Sequence, residues 1–303
     1  MPEPAASLPL GSREGQVAKG ILFMLLAMTL LPSMNGIAKH LAADYPMVQV
    51  VWARFAGHLA AMTILFWPKL GPALYRTRRP RLQFVRSCIM FVSNTAFIAA
   101  LPAIQLATAS AIMFTAPLMV TALSVPLLGE RVGWRRWSAV AVGFLGMLVI
   151  VRPGADLALA GGLLVLVSAT CFAFYQILTR RLAPYDPPET TIVYTALVAA
   201  VAMTCALPFD SRLPDPAIDY LLFAVMGTLG GLGQYFVIKA LQYAPVSVAA
   251  PFTYTELIWA ATIGYLVFGA LPDALTWTGA AIIVGSGIYI VFRETRLARA
   301  RRR

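Results

Sequence analysis

The sequence predicts an all-α integral membrane protein: ten transmembrane helices, arranged as two inverted five-helix repeats around a central cavity. Three observations lead there. Hydrophobic residues make up 59% of the 303 and charged residues only 12%, with a mean hydropathy of +0.75. Apolar segments recur at lengths close to the ~20 residues that cross a bilayer core. The second half also repeats the first at an offset of about 140 residues. A soluble domain carries about 25% charged residues, and half that proportion leaves too few to solvate a globule of this size.

The apolar segments run 17–40, 46–67, 81–103, 106–128, 134–152, 160–181, 189–208, 217–241, 246–268 and 274–293. In hydrocarbon each backbone polar group must be satisfied inside its own helix or in a closed barrel, and alternating barrel patterning is absent, so the segments are read as helices. The units are an N-terminal tail (1–16), a first repeat (17–152), a second repeat (153–293) and a basic C-terminal tail (294–303). An apolar run from Ile21 to Leu31 follows Arg13 and Lys19 as in a signal peptide. With no small-residue cleavage site after it, it is read as a retained first helix.

The net charge of +11 raises the question of nucleic acid. The basic residues, however, lie in short stretches between apolar runs, as in the cytoplasmic loops of membrane proteins, so no nucleic-acid partner is expected. With the N-terminus inside, nineteen Lys and Arg fall on the inner side, and only Lys39, Arg152 and Arg212 on the outer side. The expectation is a multi-pass protein of a bacterial inner membrane with both termini cytoplasmic. Its basic loops and tail would face anionic lipids, and it would act as a monomer. Cys88, Cys171 and Cys205 have no metal-ligand spacing and read as packing residues.

A shift of 140 lays Ala100-Leu101 on Ala240-Leu241, Thr115 on Thr255, Gly129 on Gly269 and Trp137 on Trp277. A shift of 141 lays Gly20 on Gly161, Lys39 on Arg180 and Asn35 on Gln176. Five is odd, so the second copy enters from the opposite side. The charges agree: loop 68–81 holds five basic residues, whereas its partner 209–217 holds Arg212 against Asp210 and Asp215. Inverted repeats are a transporter architecture with the solute site near the midplane.

Two five-helix halves of this size resemble the drug/metabolite transporter superfamily in its ten-helix EamA branch. The resemblance rests on the small-residue stretch from Ala107 to Leu118 with its internal Pro117, the terminal Gly129-Glu130, the glycine-spaced fifth helix (Gly143, Gly146) and Arg54 within Trp52-Ala53-Arg54-Phe55. Ala270 departs from the pattern where a second acidic residue often stands. Within the superfamily the chain is similar to bacterial YddG-type aromatic amino-acid exporters. That likeness implies a secondary transporter exporting small metabolites, chiefly amino acids including aromatic ones, by alternating access. The alternative is import of a vitamin, nucleoside or adenosylated metabolite on the same fold. An intramembrane enzyme is remote, since the chain has two histidines and no clustered catalytic motif. No phosphate loop or metal cluster is present in the sequence, and no cofactor is expected.

Charged groups inside hydrocarbon cost at least ~2.5–3.5 kcal/mol, so each calls for a reason. Glu256 stands about 15 Å along the ninth segment and Arg54 about 12 Å along the second, by the helical rise. Both therefore reach mid-depth, where they are read as contacts for the charged ends of a zwitterionic solute, as a gate, or as a mutual pair. Proton coupling is assigned to Glu256 or to His58, one turn from Arg54. Arg86 is expected to snorkel toward the inner face. Asn35, Trp52, Asn94, Tyr175, Gln176, Gln234, Tyr235 and Tyr254 complete a cavity lining, with Asn35 and Gln176 related by the repeat. Pro32, Pro102, Pro117, Pro245 and Pro251 mark hinges or static bends.

Overall fold

The computed structural model describes residues 10–128, 133–151 and 156–300. The Gly129-Glu130 pair, Arg131, Arg152 and the last three arginines lie outside the described residues. The first repeat contains α1 (Leu10–Asp44), α2 (Met47–Leu70), α3 (Pro80–Ala100), α4 (Leu106–Met113), α5 (Ala116–Leu128) and α6 (Trp134–Val151). The second contains α7 (Asp156–Leu182), α8 (Pro188–Ala206), α9 (Ile218–Tyr243), α10 (Val246–Thr253), α11 (Thr255–Phe268) and α12 (Ala274–Ala300). Nine spans among the described residues are long and apolar enough to cross a membrane, with α4 and α5 counted as one. The pair α10 and α11 supplies the tenth.

Local chemistry sets the helix ends. Pro46 disfavours helix at Tyr45 and closes α1. Gly71 (φ 50°) and Gly269 (φ 64°) end α2 and α11 in the left-handed region that a side chain resists. Gly71 leads into a short 3-10 turn, Gly71–Tyr75. The helices α1 and α12 both run beyond their apolar cores, and no proline stands in those flanking turns to stop them. Ten crossings place both chain ends at one end of the bundle, called here the terminus end. The α1–α2, α3–α4 and α8–α9 connections lie at the opposite, far end.

The helices that begin with Met47 and Pro188 start 141 residues apart, and those that begin with Leu106 and Val246, or Trp134 and Ala274, start 140 apart. Packing repeats with the same offset. The helix α1 lies against α9 as α7 lies against α3, and α2 lies against α9 as α8 lies against α3. The pairs α2–α8 and α6–α12 sit on the symmetry axis. Almost every extensive contact therefore joins one repeat to the other, and the main buried core draws residues from both.

Close approaches are made by small residues, as in other helix pairs packed within lipid. Gly20 faces Ala240 and Ala244, while its counterpart Gly161 faces Ala100 and Ala103. A methyl added at Gly227 would stand 2.5 Å from the Gly57 Cα and 2.7 Å from the Ala53 carbonyl. Lys39 closes the far end of α3 by donating to the Leu101 and Ile104 carbonyls.

Gly227→Val is expected to lower the melting temperature in detergent by several degrees, since overpacking costs typically ~1–3 kcal/mol. Gly285→Ala, in open space, is the control and should leave it unchanged or slightly raised. Differential scanning fluorimetry of the two purified variants makes the comparison.

Candidate solute site

The fourth and ninth segments, expected as single helices over 106–128 and 246–268, are each interrupted near mid-depth. In the first repeat the interruption falls at Phe114–Thr115, between α4 and α5. Pro117 has no N–H to offer the Met113 carbonyl, and its ring disfavours helix just before it. The turn tightens to shorter bonds, with the Thr115 amide donating to Ile112 O at 2.9 Å and the Thr115 hydroxyl to the same carbonyl at 2.7 Å. In the second repeat Leu257 stands where Pro117 does, yet the chain still turns at Tyr254. There the Thr255 hydroxyl donates to Phe252 O at 2.7 Å, repeating the Thr115 contact. The two interruptions meet: the Phe114 and Tyr254 rings pack edge to face with centroids 5.1 Å apart.

Glu256 occupies the first turn of α11, where the positive end of the helix dipole favours a carboxylate. It is half-buried and has no hydrogen-bond or ion-pair partner among the described residues. Arg54 is also half-buried, and its guanidinium donates to Asn35 Oδ1 at 3.3 Å without meeting a carboxylate. The mutual pair raised by the sequence does not form, because the two lie at different depths. A methyl on Gly36 would touch Ile263, so those residues are level. Glu256 precedes Ile263 by seven residues in a parallel helix, ~10 Å nearer the terminus end at 1.5 Å per residue. His58, one turn beyond Arg54, is buried, and its Nε2 has no partner among the described residues.

The other expected residues divide. Asn35 joins Arg54, and Tyr254 lies on the interruption, its hydroxyl against Gly287. Gln176 and Gln234 are half-buried on α7 and α9. Asn94 is buried and bonds its own helix, donating to Met90 O at 3.1 Å. Trp52 is drawn off by Thr204 at 2.9 Å, and Tyr235 packs on Phe66 at 5.8 Å. Pro32 lies within the unbroken α1, Pro102 in the α3–α4 connection, Pro117 in the first turn of α5, Pro245 at the N-cap of α10 and Pro251 inside α10.

Short helices in corresponding positions of inverted repeats, meeting at mid-depth, are the arrangement of a carrier's solute site. The model of the EamA-like transporter family matches residues 18–152 and 159–293. The chain belongs to the EamA-like transporter family. Its relatives include an S-adenosylmethionine uptake transporter of Rickettsia felis, 27% identical over 91% of this chain and 94% of that protein. A riboflavin transporter of Vibrio cholerae is 30% identical over 94% and 96% respectively. A pseudopaline exporter of Pseudomonas aeruginosa is 28% identical over 88% and 93%. A crystal structure with 18% identity superimposes with a TM-score of 0.66 over 92% of this chain and 99% of that one, which shows the fold. This EamA-like chain is a multi-pass membrane transporter.

One polar centre was missed by sequence reasoning. Arg86 does not snorkel: it is fully buried and bonded to Thr179, Gln83, Tyr175, Thr195 and the Thr191 carbonyl. Tyr175 also presents its ring to that guanidinium at 4.6 Å. Gln83 passes the network on to Asp186 at 3.0 Å. Asp186 in turn accepts from the Thr77 hydroxyl and from the Arg78 amide at 2.9 Å. Burial alone would push the Asp186 carboxyl up. The donors Thr77, Arg78 N–H and Gln83, with the Arg78 charge, outweigh burial and hold its pKa below the ordinary value.

A carboxylate with a lowered pKa stabilises the fold above its ordinary pKa, and that contribution is lost as pH falls through the lowered value. The stability gap between wild type and Asp186→Asn should be constant above pH ~5 and shrink below ~4. Thermal melts across that range check the sign.

Proposed function

We propose that this EamA-like transporter is a secondary carrier that imports an adenosylated metabolite bearing both a carboxylate and a cationic group. The observation that carries it is the pair of uncompensated charges, Glu256 at the interruption and Arg54 ~10 Å nearer the far end. An ionisable group inside the membrane without a partner is expensive and marks a solute path. A solute with a carboxylate for Arg54 and a sulfonium or ammonium for Glu256 would satisfy both, while the Phe114 and Tyr254 rings offer faces for a purine. Import of such a metabolite, the alternative at the level of sequence, fits the name of the S-adenosylmethionine uptake relative better than amino-acid export does. A neutral vitamin such as riboflavin would leave the two charges unpaired. The same reading places both termini and the basic loops on the cytoplasmic side of a bacterial inner membrane, with residues 17–152 and 153–293 as the two working units.

The test is uptake of labelled S-adenosylmethionine into proteoliposomes, with unlabelled riboflavin and tryptophan as competitors. Saturable uptake is expected, and Glu256→Gln should reduce it at least about tenfold, the effect of losing roughly 1.4 kcal/mol of charge pairing. Uptake blocked by riboflavin but unaffected by Glu256→Gln would point to a vitamin carrier. Exchange of tryptophan alone would restore amino-acid export.

A further inference from the structure

Two polar contacts outside the solute site occupy equivalent positions in the two repeats and lie at opposite ends of the bundle. At the far end Tyr45, two residues before α2, donates its hydroxyl to Asp219 Oδ2 at 2.6 Å. The Asp215 amide donates back to the Tyr45 oxygen at 2.9 Å, and the Arg212 amide donates to Gln49 Oε1 at 3.0 Å. The Arg212 guanidinium covers the Tyr45 ring at 4.8 Å. At the terminus end Asp186, two residues before α8, accepts from Thr77 and from the Arg78 amide. The offset of 141 carries Tyr45 onto Asp186 and Arg78 onto Asp219, so these are one contact made twice with different chemistry. Each joins the first corner of one repeat to the second connection of the other. Tyr45, Asp186 and Asp219 are each at most 6% exposed, where water competes poorly for their hydrogen bonds.

We propose that these contacts are paired seals, with Tyr45, Asp219, Asp186 and Thr77 as the residues that set which end of the bundle opens onto the solute site. Inverted repeats exchange conformations when access alternates, so a contact that closes one end has its counterpart at the other. Both seals are formed in this structure, and they are unequal. Asp186 uses both carboxylate oxygens and is backed by Gln83 and Arg86. Asp219 Oδ1 is buried without a partner among the described residues, a deficit that makes the far-end seal the weaker. The far end therefore opens first.

The inference rests on alternating access but not on the identity of the solute. Its test is sided labelling of Thr253→Cys, at the interruption, with a membrane-impermeant maleimide, after Cys88, Cys171 and Cys205 are changed to Ser. Right-side-out and inverted vesicles present the two ends in turn. Loss of one or two hydrogen bonds at a seal shifts such an equilibrium by roughly three- to tenfold. Tyr45→Phe should raise labelling from the far end and lower it from the terminus end by that factor, and Asp186→Asn should do the reverse. Gln49→Ala and Thr77→Val carry the same comparison should either first variant fail to fold by size-exclusion chromatography. Contacts that merely hold loops would lower stability and leave sidedness unchanged. Labelling that moves in the same direction for both ends, or for neither, overturns the proposal. Absence of S-adenosylmethionine uptake would leave this labelling result intact, so the two readings fail separately.

Discussion

Within hydrocarbon no water is available for a backbone N–H or C=O, and the rest of this structure depends on that constraint. A helix may be interrupted only where protein surrounds the released groups. The breaks at Phe114–Thr115 and at Tyr254 therefore lie inside the bundle, each with a threonine hydroxyl returned to the carbonyl three residues back. Because both breaks need the interior, they need each other, and the repeats close around them ring against ring. The interior placement also makes room for Glu256 at a helix start, where the dipole offsets part of its burial.

The packing then follows from symmetry. Contacts between repeats far exceed those within them, and among the described residues every buried cluster draws on both halves. Glycine and alanine at equivalent crossings let the backbones approach, while polar ties are concentrated near the bundle ends. Close helix crossings through small residues and polar ties at the ends suit a body that rocks between two arrangements.

The duplication, the inverted sense and the crossings were legible because each depends on short-range pattern: apolar length, basic loops and a constant offset. The break after Phe114 was visible in Pro117. Its partner at Tyr254 was marked less directly, by Pro251 inside α10, since no proline stands at Leu257. Arg86 looked like a snorkelling residue since it lies two turns from a helix start. Only its neighbours on α7 and α8, a register that sequence does not state, decide that it is sealed in. The depth difference between Arg54 and Glu256 was hidden for the same reason, as it rests on Gly36 meeting Ile263. Tyr45, Asp186 and Asp219 carried no signal at all, since loops of ordinary composition become informative only when folded together.

The on-axis pairing of α6 with α12 through Gly146 and Gly279 has a consequence for how the protein is made. The architecture asks for two half-proteins of opposite insertion in equal number. Encoded separately, two such halves would have to be synthesised in balance and find one another in the bilayer. Joined in one polypeptide, they arrive in strict one-to-one ratio, and insertion of the first half constrains that of the second by tether. The linker between α6 and α7 thus replaces a bimolecular encounter with an intramolecular one. It also frees each half to change independently, which is how matched positions such as Tyr45 and Asp186 can hold different chemistry.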